Sequence, residues 1–282
     1  MKKRSIKRLL FGELSWKRVG RTLLFVYGFL ILYAMFWSDH IIFQPQPSSY
    51  DDSAEIIKLT TSDGVKISAM HIANTNAYFT ILYSHGNAED IGDMKLALEE
   101  MREMGFAFFA YDYHGYGTSG GKPSEANVYR DVDAAYDYLT KTLKVPPERI
   151  IAMGRSVGNG AAVDLAARKP VAGLICESPF VTAFRVLTVV PIVPYDKFRN
   201  NRKIGKVHCP VLVMHGRADR VIPFWHGQKL FELANEPKRC LWVERADHDN
   251  VMWVAGKAYP EALREFAEVV RAAQSKKALG KN

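Results

Sequence analysis

Ser156, Asp219 and His248 are far apart in this chain, but together they hold the groups needed to break an acyl bond through a covalent serine intermediate. Ser156 lies in Gly154-Arg155-Ser156-Val157-Gly158, after the apolar run Arg149–Met153 and before the helix-like stretch Gly160–Ala167. Strand, G-x-S-x-G, helix is the context of a nucleophile elbow: a strained turn exposes the serine oxygen, and glycines two residues away on each side avoid a clash. An ordinary strand-to-helix turn can carry the same letters. The weight therefore falls on whether an acid and then a histidine follow, in that order.

Both do. Cys209–His215 reads as a buried strand that breaks at Gly216-Arg217-Ala218-Asp219. This puts Asp219 past the strand's carboxyl end, the edge where functional groups collect in parallel sheets. Its role would be to accept a hydrogen bond from the histidine ring and stabilise the imidazolium. The alternative is a loop aspartate paired with Arg217 or Arg220. Cys240–Glu244 reads as the last strand, and His248 follows in Ala246-Asp247-His248-Asp249-Asn250. His248 would take the serine proton and return it to the leaving group. Asp247 and Asp249 rival Asp219, but a sequence neighbour rarely aims its carboxylate at the adjacent ring. His226 is expected at a helix start, and His215 in a structural role.

The strand Ala77–Tyr83 ends in Ser84-His85-Gly86-Asn87-Ala88. The amide of Asn87, with that of Val157, is the expected oxyanion hole. The Gly-rich loop Tyr111–Gly121 lacks G-x-x-x-x-G-K-[ST], so it is no phosphate-binding P-loop, and it is assigned no chemistry.

The elements that must position these groups alternate. Glu55–Thr60 and Val65–Ile72 predict a β-hairpin. Strands follow at Phe79–Tyr83, Phe106–Tyr111, Arg149–Met153, Ala172–Cys176, Val211–His215 and Cys240–Glu244. Helices are expected at Asp93–Met104, Ser124–Lys144, Gly160–Arg168, Trp225–Ala234 and Tyr259–Ala273. Such alternation predicts an α/β fold, a mostly parallel central sheet with helices on both faces. Residues 179–207 break the rhythm with an apolar run and a basic sequel, and are expected to form a short cap over the site. That cap would line an acyl pocket, dip into a membrane surface, or pack on the core. The sequel Lys197, Arg199, Arg202, Lys203 and Lys206 either faces anionic lipid or forms a solvated helix face.

Four segments, Ser84-His85-Gly86-Asn87-Ala88, Tyr111–Gly117, Gly154–Gly158 and His215-Gly216-x-x-Asp219, resemble a membrane-associated branch of the α/β-hydrolases. That branch includes eukaryotic protein depalmitoylases and bacterial relatives. The resemblance covers roughly residues 50–273. It implies an α/β-hydrolase fold with Ser156 as nucleophile, Asp219 as acid and His248 as base. The depalmitoylases are anchored by a cysteine-rich N-terminus. This chain has no cysteine before Cys176 and carries a hydrophobic span instead. Its histidine loop also lacks the glycine that usually precedes the histidine in that family.

Of the net charge of +8, eight basic residues and one acid before Thr22 carry +7, so the remainder is nearly neutral. A nucleic-acid-binding domain needs a basic face of its own, which argues against that class. Thr22–Trp37 is almost wholly apolar and spans about 24 Å as a helix, short of a core of about 30 Å. Val19 and Gly20 extend it, and Arg21 can snorkel. Ala34-Met35-Phe36-Trp37-Ser38 is too bulky for signal-peptide cleavage, and no charged face suits a helix lying flat on a membrane. The expected organisation is a basic cytoplasmic leader (1–18), a transmembrane signal-anchor (19–38), a linker (39–50), a catalytic domain (51–275) and a tail (276–282). The positive-inside rule places the catalytic domain on the periplasmic or luminal side. Cys176, Cys209 and Cys240 suit neither a zinc site nor a disulfide framework and are expected as buried free thiols.

The expected function is a membrane-anchored serine hydrolase acting on an acyl ester or thioester, with no cofactor and no metal. A peptidase and a catalytically silent fold that binds lipid or protein are the alternatives. Oligomeric state is left open.

Overall fold

Alternation along single strands builds the two faces of the sheet. In Val211–Gly216, Val211 and Val213 enter one apolar core while Leu212 and Met214 enter the other. Ile150 and Ala152 part from Ile151 and Met153 in the same way. Side chains alternate with a period of two, so a strand apolar at every position must be covered on both sides.

The computed structural model describes residues 15–279. Most of the predicted basic leader and the last residues of the tail lie outside that range. Eight strands form one sheet: β1 (Ile56–Thr60), β2 (Lys66–Ile72), β3 (Thr80–Ser84), β4 (Ala107–Tyr111), β5 (Ile150–Arg155), β6 (Gly173–Glu177), β7 (Val211–Gly216) and β8 (Lys238–Val243). Their spatial order is β1-β2-β4-β3-β5-β6-β7-β8. The β1–β2 and β2–β4 pairings are antiparallel and the other five are parallel. The fold is the α/β-hydrolase fold.

Helix α1 (Trp16–Ile42) precedes the sheet. Helices α2 (Ile91–Arg102) and α8 (Ala258–Leu279) cover one face. On the other face lie α3 (Glu125–Asp137), α4 (Asn159–Arg168) and α6 (Trp225–Leu233); α5 (Asn200–Lys203) and α7 (Val251–Ala255) are short. Asp90 caps α2 by accepting from the amides of Gly92 and Asp93, while Asp93 accepts from the Asp90 amide. This is a reciprocal capping box.

Sheet order reverses at β3, which lies between β4 and β5 with Ser84 opposite Gly154. The loops leaving β3 and β5 therefore meet at the carboxyl edge, where such sheets bind ligands.

Several elements differ from expectation. Helix α1 runs four residues past the predicted span, and 43–50 is no free linker. Phe43 is buried against Phe198, with ring centroids 5.9 Å apart, and the Ser49 amide donates to Asp90. Helix α3 ends at Asp137 and passes into a π turn, Tyr138–Thr142. Residues 179–207 hold mainly turns, because Pro191 and Pro194 lack the amides a helix needs. Cys176 is buried as expected, Cys209 half-buried, and Cys240 exposed. The last departs from expectation because β8 is an edge strand whose middle residues face outward.

Candidate active site

Gly154 and Gly158 have no room for side chains. A Cβ on Gly154 would lie 2.5 Å from the Gly158 carbonyl oxygen, and one on Gly158 would strike the carbonyl of Ser84. Between them Ser156 takes φ +52, the left-handed region that L-residues avoid. Asn159 holds this turn, since its Nδ2 donates to the carbonyls of Ser156 at 2.9 Å and Glu177 at 2.8 Å.

The three residues singled out from the sequence meet. His248 Nε2 lies 2.9 Å from Ser156 Oγ, and His248 Nδ1 lies 2.8 Å from Asp219 Oδ2. Nδ1 donates to the carboxylate, which leaves Nε2 as the acceptor facing the serine hydroxyl. Asp219 and His248 are buried and Ser156 is half-buried. The rival acids are engaged elsewhere. Asp247 accepts from Arg220 Nε at 2.6 Å and from the His248 amide at 2.8 Å. Asp249 accepts from Arg155 Nη2 at 2.9 Å.

Asp219 Oδ1 accepts from the amides of Val221 at 2.9 Å and Ile222 at 2.7 Å. His215 Nε2, which donates to the Ile222 carbonyl at 2.9 Å, lies 3.2 Å from Asp219 Oδ2. Burial alone would raise the Asp219 pKa. Hydrogen bonds from His215 and His248, the positive charge of His248 and the Ile222 amide outweigh burial and hold the carboxyl well below its usual range.

Asn87 and Val157 both line a cavity of about 350 Å³ above Ser156, with His248. Val157 is in the first turn after β5, where amides have no acceptor within their own helix. Asn87 Oδ1 accepts from Tyr116 Oη at 2.6 Å and from the Gln44 amide at 2.9 Å. That clamp brings the Gly-rich loop, to which the sequence assigned no chemistry, against the site.

Sequence reasoning missed Arg155. Its guanidinium lies 2.6 Å from Glu89 and 3.6 Å from Glu177 through Nε, and it lines the cavity. Burial opposes its charge, but the Glu89 carboxylate, and Glu177 beside it, more than compensate, so it stays protonated. Burial raises the Glu177 carboxyl, partly offset by Arg155 and the Tyr259 hydroxyl. No local signal marks Arg155, because its partners Glu89, Glu177 and Asp249 come from three separate parts of the chain, two loops and the end of β6. Lys197 and Lys203, read from sequence as facing anionic lipid or forming a solvated helix face, pair with Asp39 at 2.5 Å and Asp164 at 2.7 Å.

Fold and site define a serine hydrolase of the α/β-hydrolase class. Residues 75–193 match the family model described as "Serine aminopeptidase, S33". The chain is 41% identical over 219 residues to alpha/beta hydrolase domain-containing protein 17B of Xenopus tropicalis, covering 76% of this chain and 75% of that protein. It is 40% identical, with the same coverage, to the Homo sapiens 17B protein. The chain belongs to this alpha/beta hydrolase domain-containing protein 17 family. Among solved structures, the Pyrococcus furiosus esterase Pf2001 shares the fold with a TM-score of 0.67 at 20% identity, covering 80% of this chain and 98% of that one.

Proposed function

We propose that this protein is a membrane-anchored serine hydrolase that cleaves an acyl ester or thioester through Ser156, His248 and Asp219. The observation that carries this is His248, whose two ring nitrogens lie 2.9 Å from Ser156 Oγ and 2.8 Å from Asp219 Oδ2. Ser156 Oγ attacks the substrate carbonyl while its proton passes to His248 Nε2. The developing oxyanion is held by the amides of Asn87 and Val157. The tetrahedral intermediate collapses, His248 gives its proton to the leaving alkoxide or thiolate, and the acyl group stays on Ser156. Water, deprotonated by His248, then attacks the acyl-serine, releasing the acid and restoring the hydroxyl. Asp219 stays ionised throughout and stabilises the imidazolium.

Helix α1 is long and apolar enough to cross a bilayer, about 40 Å for its 27 residues. The basic residues before it favour a cytoplasmic N-terminus and a catalytic domain on the opposite side.

Peptide hydrolysis is a second reading, favoured by the description of the matching family model. An aminopeptidase must pair the substrate's ammonium group, and the carboxylate at the cavity, Asp249, is already held by Arg155. The largely apolar wall, including Phe180, Val186 and Leu187, suits an acyl chain better.

The test is hydrolysis of p-nitrophenyl esters with two- to sixteen-carbon acyl chains by the full chain and its Ser156→Ala variant. Turnover that vanishes in the variant is expected. Absence of serine-dependent turnover across the series would overturn the assignment.

A further inference from the structure

The catalytic cavity is not closed by the catalytic domain alone. Ile41 and Ile42, the last two residues of α1, form part of its wall beside Ser156 and Val157. A second cavity, of about 280 Å³, adjoins it between α1 and the cap. Leu30, Tyr33 and Ala34 of α1 line one side, and Pro191, Ile192 and Val193 of the cap line the other. Ile41, Ile42, Ala183 and Leu187 border both cavities, so the two form one apolar path from the serine along the anchor.

The path has fixed walls. Lys197 Nζ pairs with Asp39 Oδ1 at 2.5 Å and ties the end of the cap to α1. Asp196 accepts from Thr182 Oγ1 at 2.5 Å and from the Phe184 amide at 2.9 Å, drawing the two ends of the cap together. The cap also presents Leu187, Val189 and Val190 to the outside, each more than 60% exposed. Exposed apolar side chains grouped beside an apolar helix mark a surface that meets lipid or a ligand.

We infer that α1 is more than an anchor: its C-terminal half is one wall of the acyl-binding site, and the acyl chain of a membrane-resident ester reaches Ser156 by lying along α1 under the cap. This deepens the proposed function and rests on it. Leu30 to Ile41 spans roughly 16 Å of helix axis at 1.5 Å per residue. At about 1.2 Å per bond in an extended chain, that length takes about thirteen bonds. Short acyl chains stay within the catalytic cavity, whereas a chain of about fourteen carbons, with about thirteen C–C bonds, reaches the far end of the path beside Leu30. The site is thus built for long chains, and its selectivity depends on the anchor helix.

The test fills the distal cavity. In the full chain, Ala34→Trp is compared with wild type on p-nitrophenyl butyrate and p-nitrophenyl myristate in detergent micelles, with Phe25→Trp, on an exposed part of α1 outside the path, as control. The myristate-to-butyrate ratio of kcat/KM is expected to fall at least tenfold in Ala34→Trp and to stay constant in Phe25→Trp. An unchanged ratio in Ala34→Trp would overturn the inference. Should Ala34→Trp fail to fold, photocrosslinking decides. A diazirine at the end of the myristoyl chain, bound to Ser156→Ala, should attach to residues 30–42 or 183–196. Attachment elsewhere would overturn the proposal. Loss of Ser156-dependent butyrate turnover in the wild type would instead count against the proposed function itself.

Discussion

The Gln44 amide donates to the side-chain oxygen of Asn87 at 2.9 Å, joining the segment that follows α1 to the loop that follows β3. Tyr116 Oη donates to the same oxygen at 2.6 Å. Two donors on one acceptor fix the Asn87 side chain and, through it, the peptide whose amide is proposed to face the oxyanion. Ala88, next in sequence, has φ +59, so the loop is held in a conformation that needs such support.

Asn87→Ala keeps the backbone amide but removes this clamp. Net hydrogen-bond contributions of about 1 kcal/mol each come to about 2 kcal/mol for the two bonds, roughly thirtyfold in rate when both are lost at the transition state. Steady-state kinetics on a short ester should show kcat lower by up to about thirtyfold with KM changed less than twofold. A rise in KM alone would mean that the clamp serves substrate binding instead.

Asp219→Asn should lower kcat by about three to four orders of magnitude, because an amide cannot hold the imidazolium or select its tautomer. Asp247→Asn and Asp249→Asn should each cost less than tenfold, since these carboxylates bind Arg220 and Arg155 rather than the ring. Equal losses at 219 and 247 would contradict the assignment of the acid.

Much of the candidate site was legible in the sequence because its residues lie at strand ends that hydrophobic patterning predicts. Ser156, Asp219 and His248 each follow an apolar run, and their order matches one fold. The contacts of Arg155 were invisible because Glu89, Glu177 and Asp249 reach it only through tertiary folding. His215 was read as structural, yet its ring also reaches the acid, since β7 and the turn after it bring Nε2 to Asp219. The segment 43–50 read as a linker on composition alone. Nothing local shows that Phe43 is buried or that the Gln44 amide has partners 43 and 72 residues away.

His226 is buried and accepts from the Val181 amide through Nδ1 at 3.1 Å, so a second proton there would face an N–H group. Burial, then the neighbouring His215, lowers its pKa to about 4. An unfolded histidine titrates near 6.5. As pH falls from about 6.5 to about 4, the unfolded chain binds this proton before the folded one does, so stability declines across that window. Melting temperature against pH should fall more steeply in the wild type than in His226→Asn. Parallel curves would exclude His226 as the cause.

Arg155→Met leaves Glu89 and the buried Glu177 without their cation. Breaking a buried pair from one side costs about 3–5 kcal/mol, and urea unfolding of the variant should show a loss of that order. A variant as stable as the wild type would mean that the carboxylates take up protons or water without penalty.

The central claim is that Ser156 is a nucleophile activated by His248. The most direct measurement is covalent labelling of the folded full chain with a fluorophosphonate, followed by mass-spectrometric location of the adduct. A single adduct on Ser156, absent from Ser156→Ala and strongly slowed in His248→Ala, is the expected result. A folded wild-type protein that takes no label, or an adduct that persists in Ser156→Ala, would contradict it.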